Sequence, residues 1–200
     1  GVENRQVSGR GVGTEMMVSR QAQEVQAAMV IAKKFPRNEV ESFNRIMQAC
    51  KRRSLAEQAM YEYPRGTTKV TGPSIRLAEA MAQNWGNIDF GITELEQRSG
   101  ESQVMAYAWD LETNTRQTKI FAVPHVRSTK QGNKALTDPR DIYEMIANQG
   151  ARRLRACILG VIPGDVIDAA IAQCEATLTD SNGGVPLEDL IRSSTATLQE

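Results

Sequence analysis

Between Ile88 and Val126 apolar residues recur at every second position, and two turn signals divide the run into three segments. Ile88, Phe90 and Ile92 alternate with Asp89, Gly91 and Thr93 before Ser99-Gly100. Val104, Ala106 and Ala108 then alternate with Met105, Tyr107 and Trp109 up to Thr113-Asn114. A third segment, 116–126, sets Lys119, Phe121, Val123 and His125 on one side and Ile120 and Ala122 on the other. Tight turns between consecutive strands impose antiparallel pairing, so the pattern predicts a three-stranded meander. Such a sheet is stable only if something covers it. The middle strand is apolar on both sides, so one face covers helices and the other lines a cleft or a subunit contact.

The helices are signalled by their ends. Asp138-Pro139 reads as N-cap and first residue of a long helix to about Leu159, with Ile142, Ile146, Gly150, Leu154, Cys157 and Val161 on its inward stripe. Gly150 lets that helix approach the sheet closely, and Arg152 and Arg155 point away from it, with Arg153 at the flank. Upstream, Met17, Val25, Ala28, Met29 and Ala32 recur at helical spacing from Glu15 to Phe35, where Pro36 ends the run. Asn38 and Glu41 fit a capping box for a second helix ending in Lys51-Arg52-Arg53. Tyr61 to Val70 reads as an irregular loop leading into a short strand, and Thr71-Gly72-Pro73-Ser74 launches a helix to about Asn84, with Pro73 at an early helical position. The polar connection 127–137 should be exposed and mobile. Pro163-Gly164-Asp165 restarts a helix to about Ala176. The expected class is α+β: a three-stranded antiparallel meander packed on a long helix, with N-terminal helices and a short C-terminal helical tail. Residues 1–14 read as a flexible arm or processed end, 15–176 as one domain, and 177–200 as an acidic tail with a short helical candidate near Leu187 to Ile191.

Net charge is zero, with 24 basic and 24 acidic residues, but the charges are segregated. Residues 45–76 hold seven basic against two acidic residues (net +5), and 77–112 one against seven (net −6). Residues 113–155 hold nine against three (net +6), and 156–200 one against seven (net −6). Two basic blocks that converge in space make the footprint of a phosphate-backbone binder. The alternative is charge scatter on solvated faces, with the arginines of the long helix paired to Glu144 or Asp141.

Three cysteines without paired spacing (Cys50, Cys157, Cys174) suggest buried thiols in a reducing compartment, and one histidine, His125, gives no basis for a zinc site. His125 is expected at a surface or interface. No apolar run reaches the roughly 20 residues of a membrane span. A soluble protein of the cytoplasm is expected. No Walker-type phosphate loop is present, which argues against ATP-driven strand exchange.

Thr71-Gly72, then Leu77-Ala78-Glu79-Ala80-Met81, then Trp85-Gly86-Asn87, resembles the opening of the annealing domain in the Rad-fifty-two-like strand-annealing proteins. The likeness continues through the hairpins to Gly150-Ala151-Arg152-Arg153, which is similar to that family's Gly-Leu-Lys-Arg element, and spans roughly 70–172. Phage annealing proteins of the Sak, Erf and RecT/Redβ groups share the plan, and the chain looks closer to these. The resemblance implies ATP-independent binding of single-stranded DNA and annealing of complementary strands in recombination, without a cofactor or a catalytic residue. It matches Arg152 and Arg153 to the basic pair lining the DNA groove. Arg76 lies one residue from the family's basic position after the glycine, and Arg155 one position from its further arginine. Arg116, Lys119 and Arg127 are basic where the family runs hairpins along the groove, Lys69 is a further candidate DNA contact, and Lys130, Lys134 and Arg127 would touch a second strand. Rings or filaments of identical subunits are implied, with the annealed duplex as intermediate and a phage exonuclease or host single-strand-binding protein as further partners.

Annealing requires a strand held by its phosphates with base edges free, which suits Arg and Lys contacts. Trp85, Trp109, Tyr107 and Phe121 are candidates for base stacking, or else for core and interface. Two rival classes remain open: a metal-dependent nuclease using Asp89, Asp110 and Glu112 with Lys119 nearby, and a non-catalytic interaction module docking through the acidic segment 165–200.

Overall fold

The computed structural model describes residues 11–181, and the N-terminal segment 1–10 and the acidic stretch with its helical candidate near Leu187 lie outside the described residues. Helix α1 spans Val12–Lys34 and α2 spans Glu39–Cys50, with the Asn38 side chain accepting from the backbone N–H groups of Val40 and Glu41 as the capping pattern predicts. Helix α1 begins three residues before Glu15, so residues 12–14 are helical and not part of a flexible arm. Lys51 is the C-cap of α2, and Arg53 opens a short helix α3, Arg53–Ala56, instead of closing α2.

The short strand expected at the end of Tyr61 to Val70 is present, but the stretch before it is a strand too and not an irregular loop. Strands β1 (Met60–Arg65) and β2 (Thr68–Pro73) form an antiparallel hairpin whose turn uses Gly66 at φ 63°. Pro73 ends β2, and Ser74 caps α4 (Ile75–Trp85) by accepting from Leu77 N–H. Leu77, Ala78, Met81, Ala82 and Trp85 are buried on one face of α4.

The meander is present as the alternation predicts. Strands β3 (Ile88–Arg98), β4 (Glu101–Asp110) and β5 (Thr115–Pro124) pair antiparallel in the order β3-β4-β5, with Gly100 and Asn114 at positive φ in the turns. Register places Ile92 and Lys119 on either side of Ala106, and Thr93 and Ile120 on either side of Met105. The even positions of β4 are buried beneath helices, and its odd positions are half-buried on the other face.

The polar connection folds into a second small hairpin, β6 (Val126–Thr129) with β7 (Gly132–Ala135), exposed throughout. His125, placed at a surface from sequence, is buried just before it, with its Nε2 2.8 Å from Ser102 Oγ. Val123 is buried on the inward side of β5, and the strand ends at Pro124, so His125 follows it in a bend and is buried in place of reaching a surface or interface.

Helix α5 (Pro139–Leu159) lies across the sheet and α6 (Gly164–Ser181) packs outside α2 and α3. Asp138 caps α5 with Pro139 in its first turn. A Cβ on Gly150 would stand 2.8 Å from Ile92 Cδ1, so the missing side chain sets how closely helix and sheet approach. The core runs from Ile46 and Cys50 through α4 to Leu154, Cys157, Ile158, Ile162, Val166, Ala170 and Cys174, with Ala106 and Ala108 as the sheet's contribution. Helix α6 continues past Ala176, and buried Thr177 donates to the Cys50 carbonyl at 2.8 Å. Among the described residues no helix is long and apolar enough to cross a membrane.

Candidate nucleic-acid interface

The outer face of α5 is built by helical spacing. At about 100° per residue, Asp141, Asn148, Arg152 and Arg155 fall within an arc of about 60°, while Arg153 is rotated toward β5. Asn148 and Arg152 are exposed, and Arg155 is half-buried. Among the described residues, none of the three arginines lies within ion-pairing distance of a carboxylate. The helix's own carboxylates are engaged elsewhere: Asp141 by Arg127 at 3.6 Å and Glu144 by Arg140 at 3.4 Å.

Aromatic rings hold two of the arginines. The Arg155 guanidinium lies 4.1 Å from the Tyr61 ring centroid and that of Arg153 lies 4.6 Å from Phe121. Arg153 also donates to the Gln149 carbonyl at 3.1 Å and to Gln149 Oε1 at 2.6 Å. Each ring therefore positions a guanidinium while leaving its charge uncompensated. Arg152, Arg155, Tyr61, Glu62 and Tyr63 line a recess of about 400 Å³ between α5 and the β1–β2 hairpin. Lys69, across that hairpin, pairs with Glu62 at 2.6 Å and offsets its charge.

At the other end of the face, the β6–β7 hairpin is fastened to α5 by the Arg127–Asp141 pair, and Lys134 is the cross-strand partner of Arg127. Lys130 occupies the exposed turn. Asp141 and Arg152 share one side of the helix and are separated by about 16 Å along its axis at 1.5 Å per residue. Cations at both ends thus border a single exposed strip. Lys119 shares the α5 face of the sheet with Phe121, and its charge reaches Cys157, whose thiol is raised above the ordinary range by burial, an effect Lys119 opposes.

Two members of the sequence-derived set stand apart. Arg116 is on the opposite face of the sheet, 4.9 Å from the Trp109 ring and 5.6 Å from that of Tyr107, and borders a cavity of about 580 Å³ between α1 and the sheet. The reason is strand parity: Arg116 and Lys119 are three residues apart on β5, an odd separation that sends them to opposite faces. Arg76 is exposed on α4 and lies 3.8 Å from Glu79. The four aromatic candidates separate likewise. Trp85 is core, Phe121 lies under Arg153, and Tyr107 and Trp109 are covered by Arg116.

The three carboxylates of the nuclease alternative do not share one site. Asp110 and Glu112 grip Arg37, at 2.7 and 2.9 Å, in a three-membered cluster largely shielded from solvent. Arg37 further donates to the Gly86 carbonyl at 3.0 Å and lies 5.1 Å from the Trp85 ring. Asp89 is on the other face of the sheet beside Tyr107, whose phenol is pushed up by burial and by that neighbouring carboxylate. Among the described residues no group of three His, Cys, Asp or Glu side chains is arranged to hold a metal ion.

Comparison with models of known protein families, with curated proteins and with solved structures found no match to this chain. Any functional reading therefore rests on the geometry of the site and on the motif resemblance.

Proposed function

We propose that the chain binds single-stranded DNA along the outer face of α5 and anneals complementary strands without nucleotide hydrolysis, in the manner of phage-type annealing proteins. The observation that carries this reading is the set Arg152, Arg153 and Arg155: three guanidinium groups on one rigid helix, none paired with a carboxylate among the described residues, two seated on aromatic rings. A planar guanidinium suits bidentate contact with phosphate, and a fixed one loses less freedom when it binds. The strip runs from Arg127 and Lys134 to Arg155 and Lys69, with Lys119 at its β5 flank. Phosphates held along it would leave bases free to meet a second strand. Assembly of identical subunits would join such strips into a longer track, which we include in the proposal.

The test is fluorescence anisotropy with a labelled oligothymidylate at graded NaCl, together with annealing of complementary oligonucleotides in the absence of ATP. The logarithm of affinity should fall linearly with the logarithm of salt, by about 0.7 per phosphate contact for a single strand. Arg152→Ala should lower that slope by about 0.7, and Arg116→Ala, on the far side of the sheet, should leave it unchanged. Salt-insensitive or absent binding, or annealing that requires ATP, would overturn the reading.

A further inference from the structure

The β1–β2 hairpin carries two tyrosines that the phosphate-binding reading does not use. Tyr61 and Tyr63 are two residues apart on one strand and so share a face of the hairpin. Their ring centroids are 6.0 Å apart and their planes differ by 14°. Opposite Tyr61 stands Gly72, and a Cβ there would lie 2.9 Å from the Tyr61 ring atoms. The end of the ring lies against bare backbone, and a side chain at that position would have to push it aside. Arg155 covers Tyr61 at 4.1 Å, whereas Tyr63 is 45% exposed although it borders the same recess as Arg152 and Arg155. An exposed aromatic ring, aligned with a held neighbour and sharing a recess with two guanidinium groups, has the composition of a base-stacking platform.

We infer that Tyr63 is a nucleobase-stacking residue, with Tyr61 positioning it and Arg152 and Arg155 taking the phosphates on either side of the stacked base. The inference rests on the proposed binding of single-stranded DNA and adds a contact to the bases. Because every base has a π-face, the contact holds a base without reading its hydrogen-bonding edge, which annealing needs free. The 6.0 Å between centroids leaves no room for a base between the two rings, so stacking occurs on the outer ring, Tyr63. Glu62 keeps the recess from being uniformly cationic, and Lys69 holds it in an ion pair.

The experiment compares two labelled probes of equal length, an oligothymidylate and its fully abasic counterpart, binding to the whole chain and to its Tyr63→Ala, Tyr63→Phe and Arg152→Ala variants over a salt series. Tyr63→Ala should weaken oligothymidylate binding about thirtyfold, the middle of the range for loss of one stacked base. Its salt slope should match the wild type, because no phosphate contact is lost. Tyr63→Phe should bind like the wild type, and Tyr63→Ala should bind the abasic probe as the wild type does. Arg152→Ala should weaken both probes and flatten the salt dependence. If the wild type binds with the expected salt slope and Tyr63→Ala is indistinguishable from it on oligothymidylate, stacking fails while the binding proposal stands. Equal loss by Tyr63→Ala on both probes would also overturn stacking, since it would mark a disturbed hairpin. If the wild type binds neither probe, both proposals fail together.

Discussion

Arg37 looks in the sequence like any loop charge, yet it joins the α1–α2 connection to the β4–β5 turn through Asp110 and Glu112, at side-chain exposures of 8%, 4% and 15%. Removing one partner of a buried pair strands the other charge, at about 3–5 kcal/mol. Arg37→Ala should therefore lower unfolding free energy by that amount in a urea titration, and a loss below about 1 kcal/mol would show that water readily replaces the guanidinium. Arg37→Lys should rescue only part, because an ammonium cannot span two carboxylates with a planar fork. The cysteines supply a second check. Cys50, Cys157 and Cys174 are buried free thiols, so a disulfide-exchange reagent should label them only on unfolding. Burial raises the Cys157 thiol, which means the folded state holds the proton more tightly than the unfolded chain. Its contribution to stability is then complete below the unfolded value near pH 8.5 and declines as pH rises above it. Urea midpoints measured from pH 7.5 to 10 should fall, and Cys157→Ala should flatten that fall; an unchanged slope would refute the assignment.

At the scale of elements, Gly150 decides how α5 seats on the sheet. Glycine within a helix costs about 1 kcal/mol relative to alanine, so its presence in the middle of α5 needs a reason, and the 2.8 Å approach of Ile92 Cδ1 to a hypothetical Cβ supplies one. Gly150→Val should destabilise the domain by about 1–3 kcal/mol through overpacking, measured by thermal or urea unfolding. Stabilisation by that change would mean the helix has space to move. The elements readable from sequence were those with a buried face. The meander showed a period of two because β4 buries every second residue, and α5 showed its stripe because Gly150, Leu154 and Cys157 face the core. The two small hairpins, of which only the β2 strand is legible in the sequence, lack such a face. Strand β1 is exposed at five of its six positions and β6–β7 at all, so neither has an apolar period to read, and Pro64 further disguised β1. The outer face of α5 followed from helical spacing alone. Tyr61 and Tyr63 did not, because recognising them required knowing that their strand folds back beside Arg155; the i, i+2 aromatic spacing ahead of Gly66 was the one signal available.

For the whole molecule, one face of the sheet is sealed by helices and the other is left to α1, a helix on which only Ala32 is buried. Val12, Met16, Met17, Val18, Val30 and Ile31 are each more than half exposed along it. So much apolar surface on one 23-residue helix, beside a half-open cavity of about 580 Å³, is more than an isolated small domain keeps in water. In the proposed assembly of identical subunits a second copy of the chain would be the partner, a heterologous contact between α1 of one subunit and the sheet face beside α1 of the next repeating into a ring or filament. Such repetition would place the α5 strips side by side and leave them clear, because α1 and α5 lie on opposite faces of the sheet. Light scattering should report a mass above that of a single 22.1 kDa chain. The triple change Met16→Glu, Met17→Glu and Val30→Glu should lower that mass without lowering the unfolding midpoint, because none of these side chains reaches the core. The same variant should keep the salt slope of a short oligonucleotide, bound within one subunit, while losing affinity for long strands that span several. A monomer of unchanged mass with and without DNA would remove the assembly and leave the single-subunit strip to stand on its own.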